Sequence, residues 1–587
     1  MSNNFISYLN SMNNANSSNE NAIAESQITN PYYDKIRVER NIGNYLIERI
    51  KEKPTTVLLT GHAGDGKTSL VYQMLRELRL IDGNEQLKVY DEYYSEEISS
   101  RLLYIKDMSE LNKQEQVHLL KRSLDIKESG GSAVLISNTG PLIDSFKGLE
   151  EKYPTGISNT TVEMDLLRLM DENTGLVGKV GVYDVLLINM ARIDNVVMVP
   201  KLFKNMLSDE LWEPCNQCDK KQVCPMYNNY LSLNENYNNV EQFITSYYRW
   251  LYETDKRLTI RQILSQLSYS ITGNLTCESI EESNSNESQL YIYHFSNLFF
   301  GYTGVSINTD AIQIKAIKEL QSLGLDTKEL KNDYNIFIKG DFEYLTPIAR
   351  SVIEPIWQKR MRRFTTLSID LLREDEPYQL RKSVRRMEIL FGKHNEKTMS
   401  DLLGRLFSPI YPEFLNTRVT ELTGRELRNI KSKVIKALYF MLVGIPIDSG
   451  ADDVIYLPLN RKGKGIQSVQ LLLGKIETSD IYIKQNFIES DYDSDENHFA
   501  LELSFGRTSE RFSISLMLLD YFDKVSKGAV STKLNPSLSH GVDRMKSKLY
   551  HEYKFNENEP LIKVLVQTIK GPKLISFEIA GKELYVD

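Results

Sequence analysis

A glycine-rich stretch early in the chain has the spacing of a phosphate-binding loop. Residues 61–68 read GHAGDGKT and fit the pattern GxxxxGK followed by Ser or Thr. In this pattern the glycines permit a tight turn whose backbone N–H groups point at one anion, and the lysine reaches the β and γ phosphates of a nucleotide. The hydroxyl of Thr68 can complete the coordination of Mg²⁺. The predicted cofactor-binding residues are Gly61, His62, Ala63, Gly64, Asp65, Gly66, Lys67, Thr68 and Ser69.

The residues on either side of this loop have the character that such a site requires. Residues 57–59 are an apolar run suited to a buried parallel strand, and apolar residues recur at helical spacing from Leu70 to Leu75. A bound phosphate would therefore meet the positive end of a helix. An ordinary glycine-rich turn has no use for the fixed GKT ending, so the sequence predicts a nucleotide site.

Hydrolysis requires a second acidic group that holds the magnesium. Residues 102–105 form an apolar run followed by Asp107, which predicts a strand ending in the metal-binding carboxylate. Glu110 is the candidate for polarising the attacking water. The adjacent Asp91 and Glu92 in VYDEY are a competing pair with a shorter apolar run. Alternatively, Asp107 only caps the next helix.

Two further polar residues are candidates for contact with the γ-phosphate. Asn138 follows the apolar strand VLIS. The alternation of strands and helices along the chain resembles that of AAA-type ATPases, which carry a polar sensor of the γ-phosphate at this place. Those ATPases place the catalytic glutamate directly after the aspartate, whereas Glu110 lies three residues after Asp107. Arg261 heads an amphipathic helix and could contact the phosphate of its own or a neighbouring subunit. A strand-end turn at Asn138 and a solvated Arg261 remain alternatives.

The four cysteines have the spacing of metal ligands. Cys215, Cys218 and Cys224 form CxxCx5CP, and Cys277 follows later in ITGNLTC. Four thiolates would close a tetrahedral structural zinc site, with His294 as a substitute for the fourth ligand. An iron–sulfur cluster uses the same ligands, and redox thiols or unrelated buried cysteines are the other interpretations.

The pattern along the chain predicts an α/β P-loop NTPase core with a doubly wound parallel sheet. Strand-like runs at 57–59, 86–93, 101–111, 130–140 and 182–190 alternate with helical segments. The predicted domains are a disordered or adaptable lead-in (1–29), a P-loop nucleotide-binding domain (30–200), a helical lid with the cysteine cluster (201–283), a helical, partly basic domain (289–445) and a β-rich domain (446–587).

Composition narrows the class of protein. The 587 residues are 41% hydrophobic and 26% charged, with no apolar stretch of membrane-spanning length. The N-terminus lacks the features of a secretion signal, and four cysteines do not make a disulfide scaffold, so a cytoplasmic protein without a membrane contact is expected.

The net charge is −8, yet residues 359–436 hold 18 Lys and Arg against 10 Asp and Glu. This excess predicts possible DNA contact through Arg362, Arg363, Arg381, Arg385 and Arg386, or else a solvated face or an acidic partner's docking surface.

The order of these motifs resembles the DptF-like ATPases of phosphorothioation-dependent DNA restriction, a bacterial antiviral defence system. The resemblance rests on GHAGDGKT, YIKDMSE, ISNTG, LLINMARIDN, CxxCx5CPMYNN and LTIRQILSQLSYSITG, in one order over about residues 55–280. It implies an ATPase acting beside helicase or nuclease partners on DNA that lacks the host's phosphorothioate mark. The alternatives are a signal-transduction NTPase that switches an effector by nucleotide-dependent assembly, and an oligomeric, hexameric motor on DNA or protein.

Overall fold

The chain divides into two compact units. The computed structural model describes residues 2–13, 28–82, 86–282, 287–366, 376–444, 453–459, 468–490, 492, 496–529, 536–555, 561–568, 571–580 and 583–586. The first unit comprises Met1–Leu402 and Ser490–Glu496, and the second comprises Leu403–Glu489 and Asn497–Asp587.

The first part of the first unit is a mixed α/β fold. Its helices and strands are α1 (Asn4–Asn13), α2 (Tyr33–Ile36), α3 (Asn41–Glu52), β1 (Thr56–Thr60), α4 (Lys67–Glu77), β2 (Tyr90–Ser95), β3 (Ser100–Ile105), α5 (Lys113–Asp125), β4 (Ser132–Ile136), α6 (Thr139–Lys152), α7 (Asn159–Glu172), β5 (Val177–Val180) and β6 (Tyr183–Asn189). Six of these elements are strands of one sheet, in the order β2-β3-β4-β1-β6-β5.

The sheet is mostly parallel, as predicted, but its two outer strands are antiparallel. β3, β4, β1 and β6 run parallel to one another, whereas β2 pairs antiparallel with β3 and β5 with β6. The prediction of a parallel sheet is therefore wrong for β2, and the other antiparallel strand, β5, was not among the predicted strands. The reason is the length of the connections: residues 96–99 and 181–182 are too short for the crossover that parallel neighbours require.

Helices cover both faces of this sheet. β1 is buried along its whole length, and its side chains alternate between two hydrophobic clusters. Val57 and Leu59 pack with residues of α3 and α4, while Leu58 packs with residues of α5, α6 and α7. Burial on both faces explains why β1 reads as a continuous apolar run.

The N-terminal segment differs from its prediction. Residues 4–13, which were expected to belong to a disordered or adaptable lead-in, form helix α1. Phe5, Ile6, Leu9 and Met12 lie on one face of it and are buried. Burial of this apolar face stabilises a helix whose other residues are mostly polar. Residues 14–27 lie outside the described part of the chain.

The remainder of the first unit is mainly helical. It contains α8 (Val199–Met206), α9 (Asp209–Asn216), α10 (Pro225–Glu235), α11 (Tyr237–Glu253), α12 (Ile260–Thr272), α13 (Cys277–Glu282), α14 (Glu287–Ile292), α15 (Phe295–Phe299), the two-residue strands β7 (Tyr302–Thr303) and β8 (Ser306–Ile307), α16 (Lys315–Leu323), α17 (Asp333–Phe337), α18 (Pro347–Thr366), α19 (Glu376–Phe391) and α20 (Glu396–Leu406), within which the division between the units falls.

The second unit combines antiparallel sheets with helices. Its elements are α21 (Tyr411–Val419), α22 (Gly424–Val443), β9 (Val454–Pro458), β10 (Val469–Glu477), β11 (Ile481–Ile488), β12 (His498–Phe505), β13 (Arg511–Ser513), α23 (Leu516–Ser526), α24 (Pro536–Glu552), β14 (Leu561–Thr568), β15 (Gly571–Ala580) and β16 (Glu583–Val586). One sheet has the order β16-β15-β14-β10-β9 and another β11-β12-β13. Since α21 contacts β12 and α22 contacts β9 and β11, the compact unit begins upstream of residue 446.

Within the described ranges, none of the helices combines the length and the apolar character that crossing a membrane would require.

Candidate functional site

The glycine-rich loop connects the buried strand β1 to helix α4, as the sequence predicts. Gly64 and Gly66 have φ values of 86° and 82°, in the left-handed region that favours glycine. A Cβ on Gly64 would also lie 2.9 Å from the Cβ of Arg261. Glycine is therefore required at position 64 both by the backbone conformation and by the close approach of the helix that carries Arg261.

Lys67 is the first residue of α4, and its ammonium group is held inside the loop. It donates hydrogen bonds to the carbonyl oxygens of Gly61 (3.1 Å) and His62 (2.9 Å) and to Oδ1 of Asn138 (3.3 Å). Burial lowers the pKa of Lys67, and the nearby carboxylates of Asp65 and Asp107 oppose that shift. A positive charge is thus fixed at the carboxyl ends of β1 and β4.

Asp65 has a structural role in the loop. Its side chain is fully buried and accepts hydrogen bonds from the backbone N–H of His62 (2.9 Å) and from Nη1 of Arg257 (2.8 Å). Arg257 also donates to the carbonyls of Met190 and Ile193, beyond the end of β6. Sequence reasoning missed Arg257, whose only local signal is a second arginine four positions before Arg261.

Asp107 lies just after β3, where its side chain hydrogen-bonds to Ser109 and also lies near Lys67. Oδ1 accepts hydrogen bonds from the backbone N–H and the hydroxyl of Ser109, both at 2.8 Å, so Asp107 caps the short 3-10 turn Met108–Glu110. It is also close enough to raise the pKa of Lys67 electrostatically. Asp107 therefore caps this turn and also lies beside the glycine-rich loop. Glu110 ends the turn, 3.5 Å from the buried ammonium of Lys106.

Asn138 and Arg261 both reach the loop from other elements. Asn138 follows β4 and accepts a hydrogen bond from Lys67, while the neighbouring Thr139 hydroxyl lies 3.3 Å from that of Thr60. Arg261 is in the first turn of α12, which Thr259 begins with a capping box. Its backbone N–H donates to the carbonyl of Gly64 (3.2 Å). The start of α12 is thereby attached directly to the loop.

One cavity joins these groups. Its lining includes Ala63, Gly64, Gly66, Lys67, Thr68 and Ser69 of the loop. It also includes all four predicted catalytic residues: Asp107, Glu110, Asn138 and Arg261. Gly61, His62 and Asp65 instead determine the loop conformation through the hydrogen bonds described above. The structure thus brings together residues that are far apart in the chain.

The cavity also has an apolar side that sequence reasoning did not predict. Tyr8 and Met12 of α1, Ile36, Val38, Met198 and Leu202 contribute to it. The apolar residues of FISYLNSM recur at helical spacing, which was the available signal for α1. Lys106 also lines the cavity and was not singled out.

The four cysteines line a second, smaller cavity in the same unit. Their thiols are free, and among the residues that the structure describes no three His, Cys, Asp or Glu side chains form a group ready to hold a metal ion. The four cysteines share one cavity, and their binding of a zinc ion stays a prediction. His294 lies among buried residues, with its ring edge-on to Phe391, and burial lowers its pKa to about 3.

Two of the five arginines of the predicted DNA-contacting face are paired with carboxylates of the same unit. Arg386 is fully buried and donates to Oδ2 of Asp326 at 2.8 Å, and Arg385 pairs with Asp333 at 2.6 Å. Both residues lie on helix α19, as predicted, but their side chains pair with carboxylates of other elements of the same unit. Arg386 therefore cannot contact DNA phosphates. Arg381 is exposed, and the side chains of Arg362 and Arg363 lie outside the described residues.

These features define a mixed α/β protein with a glycine-rich loop at the carboxyl ends of its parallel strands. No family model matches the chain, and comparison with the curated proteins and with the solved structures found no match.

Proposed function

We propose that the chain binds and hydrolyses ATP as a component of a bacterial DNA-defence system, with helicase or nuclease proteins as its partners. The observation that carries the ATPase part is the convergence of the loop with Asp107, Glu110, Asn138 and Arg261 on one cavity. A hydrolytic site needs a phosphate cradle, a metal-holding carboxylate and groups that recognise the γ-phosphate in one place. The defence part rests on the resemblance of the ordered motifs.

Each residue has a distinct role in this proposal. The loop N–H groups and Lys67 bind the β and γ phosphates. Thr68 and Asp107 hold Mg²⁺, which when bound neutralises charge that develops on the phosphates. Glu110 orients the attacking water, and Asn138 and Arg261 contact the γ-phosphate. The apolar side of the cavity accommodates the nucleobase, where Tyr8 and Met12 exclude water.

Replacing Asp107 by alanine should remove magnesium-dependent turnover. We expect kcat to fall by about 100-fold or more, since groups that stabilise transition-state charge contribute that much. Nucleotide affinity measured without magnesium should change little, because Lys67 and the loop remain. Steady-state hydrolysis and fluorescent-nucleotide titration measure the two effects.

Asp91→Ala is the matched control for this experiment. Asp91 is the competing carboxylate on the neighbouring strand β2, where it pairs with Lys88 at 2.8 Å. Its removal should leave turnover within about twofold of wild type, in keeping with the small contribution of exposed ion pairs. Loss of turnover in Asp91→Ala with activity retained in Asp107→Ala would reverse the assignment.

A second candidate function is a signal-transduction NTPase that switches an effector without contacting DNA. The burial of Arg386 and the pairing of Arg385 favour it, because both remove predicted phosphate contacts. ATP hydrolysis should be measured with the genomic-neighbour proteins, using phosphorothioate-modified DNA, unmodified DNA and no DNA. Stimulation by unmodified DNA supports the defence role, whereas slow turnover in a stable nucleotide-bound assembly, unaffected by either DNA, supports the switch.

A further inference from the structure

We propose that Cys215, Cys218, Cys224 and Cys277 bind one Zn²⁺ ion and that the N-terminal helix α1 closes this site. The inference concerns a second site and does not depend on the nucleotide chemistry. Four thiolates are a ligand set typical of structural zinc, and they leave no open position for a catalytic water.

Three separate elements bring the thiols to one place. Cys215 is in the last turn of α9, and the N–H of Cys218 donates to its carbonyl at 3.2 Å, which forms the CxxC turn. Cys224 directly precedes α10, and Cys277 is the first residue of α13. All four line one small cavity. Unrelated buried cysteines on three separate elements would not be expected to line the same cavity.

Three of the four sulfur atoms accept hydrogen bonds from N–H donors, which is the arrangement that a thiolate needs. The backbone N–H of Asn3 donates to Sγ of Cys277 (3.5 Å), and its side-chain Nδ2 donates to Sγ of Cys215 (3.4 Å). The backbone N–H groups of Met226 and Tyr227 donate to the Cys224 thiol. N–H donors around ligating sulfurs are the outer partners that orient the ligands of a metal site.

The charge around the site is suited to a cation held by several thiolates. Four thiolates and one Zn²⁺ carry a net charge of −2. The positive side chains of Lys220 and Lys221, which both line the cavity, balance this charge.

Helix α1 forms one wall of this site. Asn3 also donates to the carbonyl of Leu211 (2.9 Å), Phe5 packs edge-on against Trp212, and Ile6 lines the thiol cavity. Farther along the same helix, Tyr8 and Met12 line the larger cavity. Metal binding should therefore order α1 together with the cysteine loop, because Asn3, which directly precedes α1, contributes donors to two of the proposed ligand sulfurs.

Elemental analysis of the full-length protein, purified without added metal, tests the proposal directly. We expect about one zinc per chain. Removing it from wild type with a chelator should lower the melting temperature and speed amide hydrogen exchange in α1, and added Zn²⁺ should reverse both changes. This chelation experiment does not require a variant to fold.

Cys224→Ser and Asn3→Ala extend the test, with Ser232→Ala on α10 as the control. Ser232 is buried on the same helix but is not part of the thiol cavity. We expect Cys224→Ser to lose bound zinc and stability, Asn3→Ala to keep zinc with about tenfold weaker affinity, and Ser232→Ala to keep it fully. Iron with labile sulfide in place of zinc would overturn the proposal, as would a metal-free protein whose stability is unchanged by Cys215→Ser and Cys224→Ser.

Discussion

Replacing Lys67 by alanine should raise the Kd for ATP by roughly 100-fold, because a charge-assisted hydrogen bond contributes about 1.5–3 kcal/mol. Lys67 is positioned for this role before any ligand is considered. Its ammonium lies among the carbonyls of Gly61 and His62 and the Asn138 amide oxygen, at the start of α4. Alanine cannot replace this charge, so turnover at ordinary ATP concentrations should be lost with binding. Equilibrium titration with a fluorescent ATP analogue measures the change.

Lys106→Ala is the control for charge in the same cavity. Lys106 is buried beside Glu110 rather than in the loop, so its removal should weaken ATP binding much less than that of Lys67. Lys67→Met preserves most of the side-chain volume and separates loss of charge from loss of packing. Wild-type affinity and turnover in Lys67→Ala, with the variant folded, would show that the loop is not the nucleotide site.

Arg386→Ala should lower the free energy of unfolding by about 3–5 kcal/mol, the cost of leaving one partner of a buried ion pair uncompensated. Arg386 is fully buried, donates to Asp326, Asn297 and the Gly304 carbonyl, and lies 3.9 Å from the centre of the Tyr302 ring. Among the described residues, its removal would leave the buried Asp326 carboxylate with the more distant Lys382, at 3.9 Å, as its cationic partner. Urea denaturation, followed by circular dichroism, measures the loss.

Arg381→Ala provides the comparison on the same helix. Arg381 is exposed and packs over the Phe337 ring, so its removal should change stability by no more than about 0.5 kcal/mol. The pair also tests the predicted DNA contact. If the folded Arg386→Ala protein keeps wild-type stability but loses DNA binding, the assignment of Arg386 to the core is incorrect.

Local sequence alone was sufficient to predict the loop and the strands beside it. The spacing of Gly61, Gly66 and Lys67 specifies a tight turn, and continuous apolar runs identify β1, β3, β4 and β6 as buried strands. These signals are strong because each depends on residues adjacent in the chain. Asp107 and Asn138 were predicted because each follows such a strand, Asp107 as the metal-holding carboxylate and Asn138 at the place of the polar sensor in AAA-type ATPases.

Other features depend on contacts between distant parts of the chain, so only the tertiary structure decided them. Arg381, Arg385 and Arg386 are equivalent in a basic sequence, yet Asp326 and Asp333 determine which of them is paired and which is exposed. Local charge cannot show this, because burying a charge is tolerated only where a distant partner compensates it. For the same reason the sequence did not reveal the pairing of Asp65 with Arg257. Likewise, the polar composition of residues 1–29 concealed α1, whose narrow apolar face is stabilised only by packing against the rest of the unit.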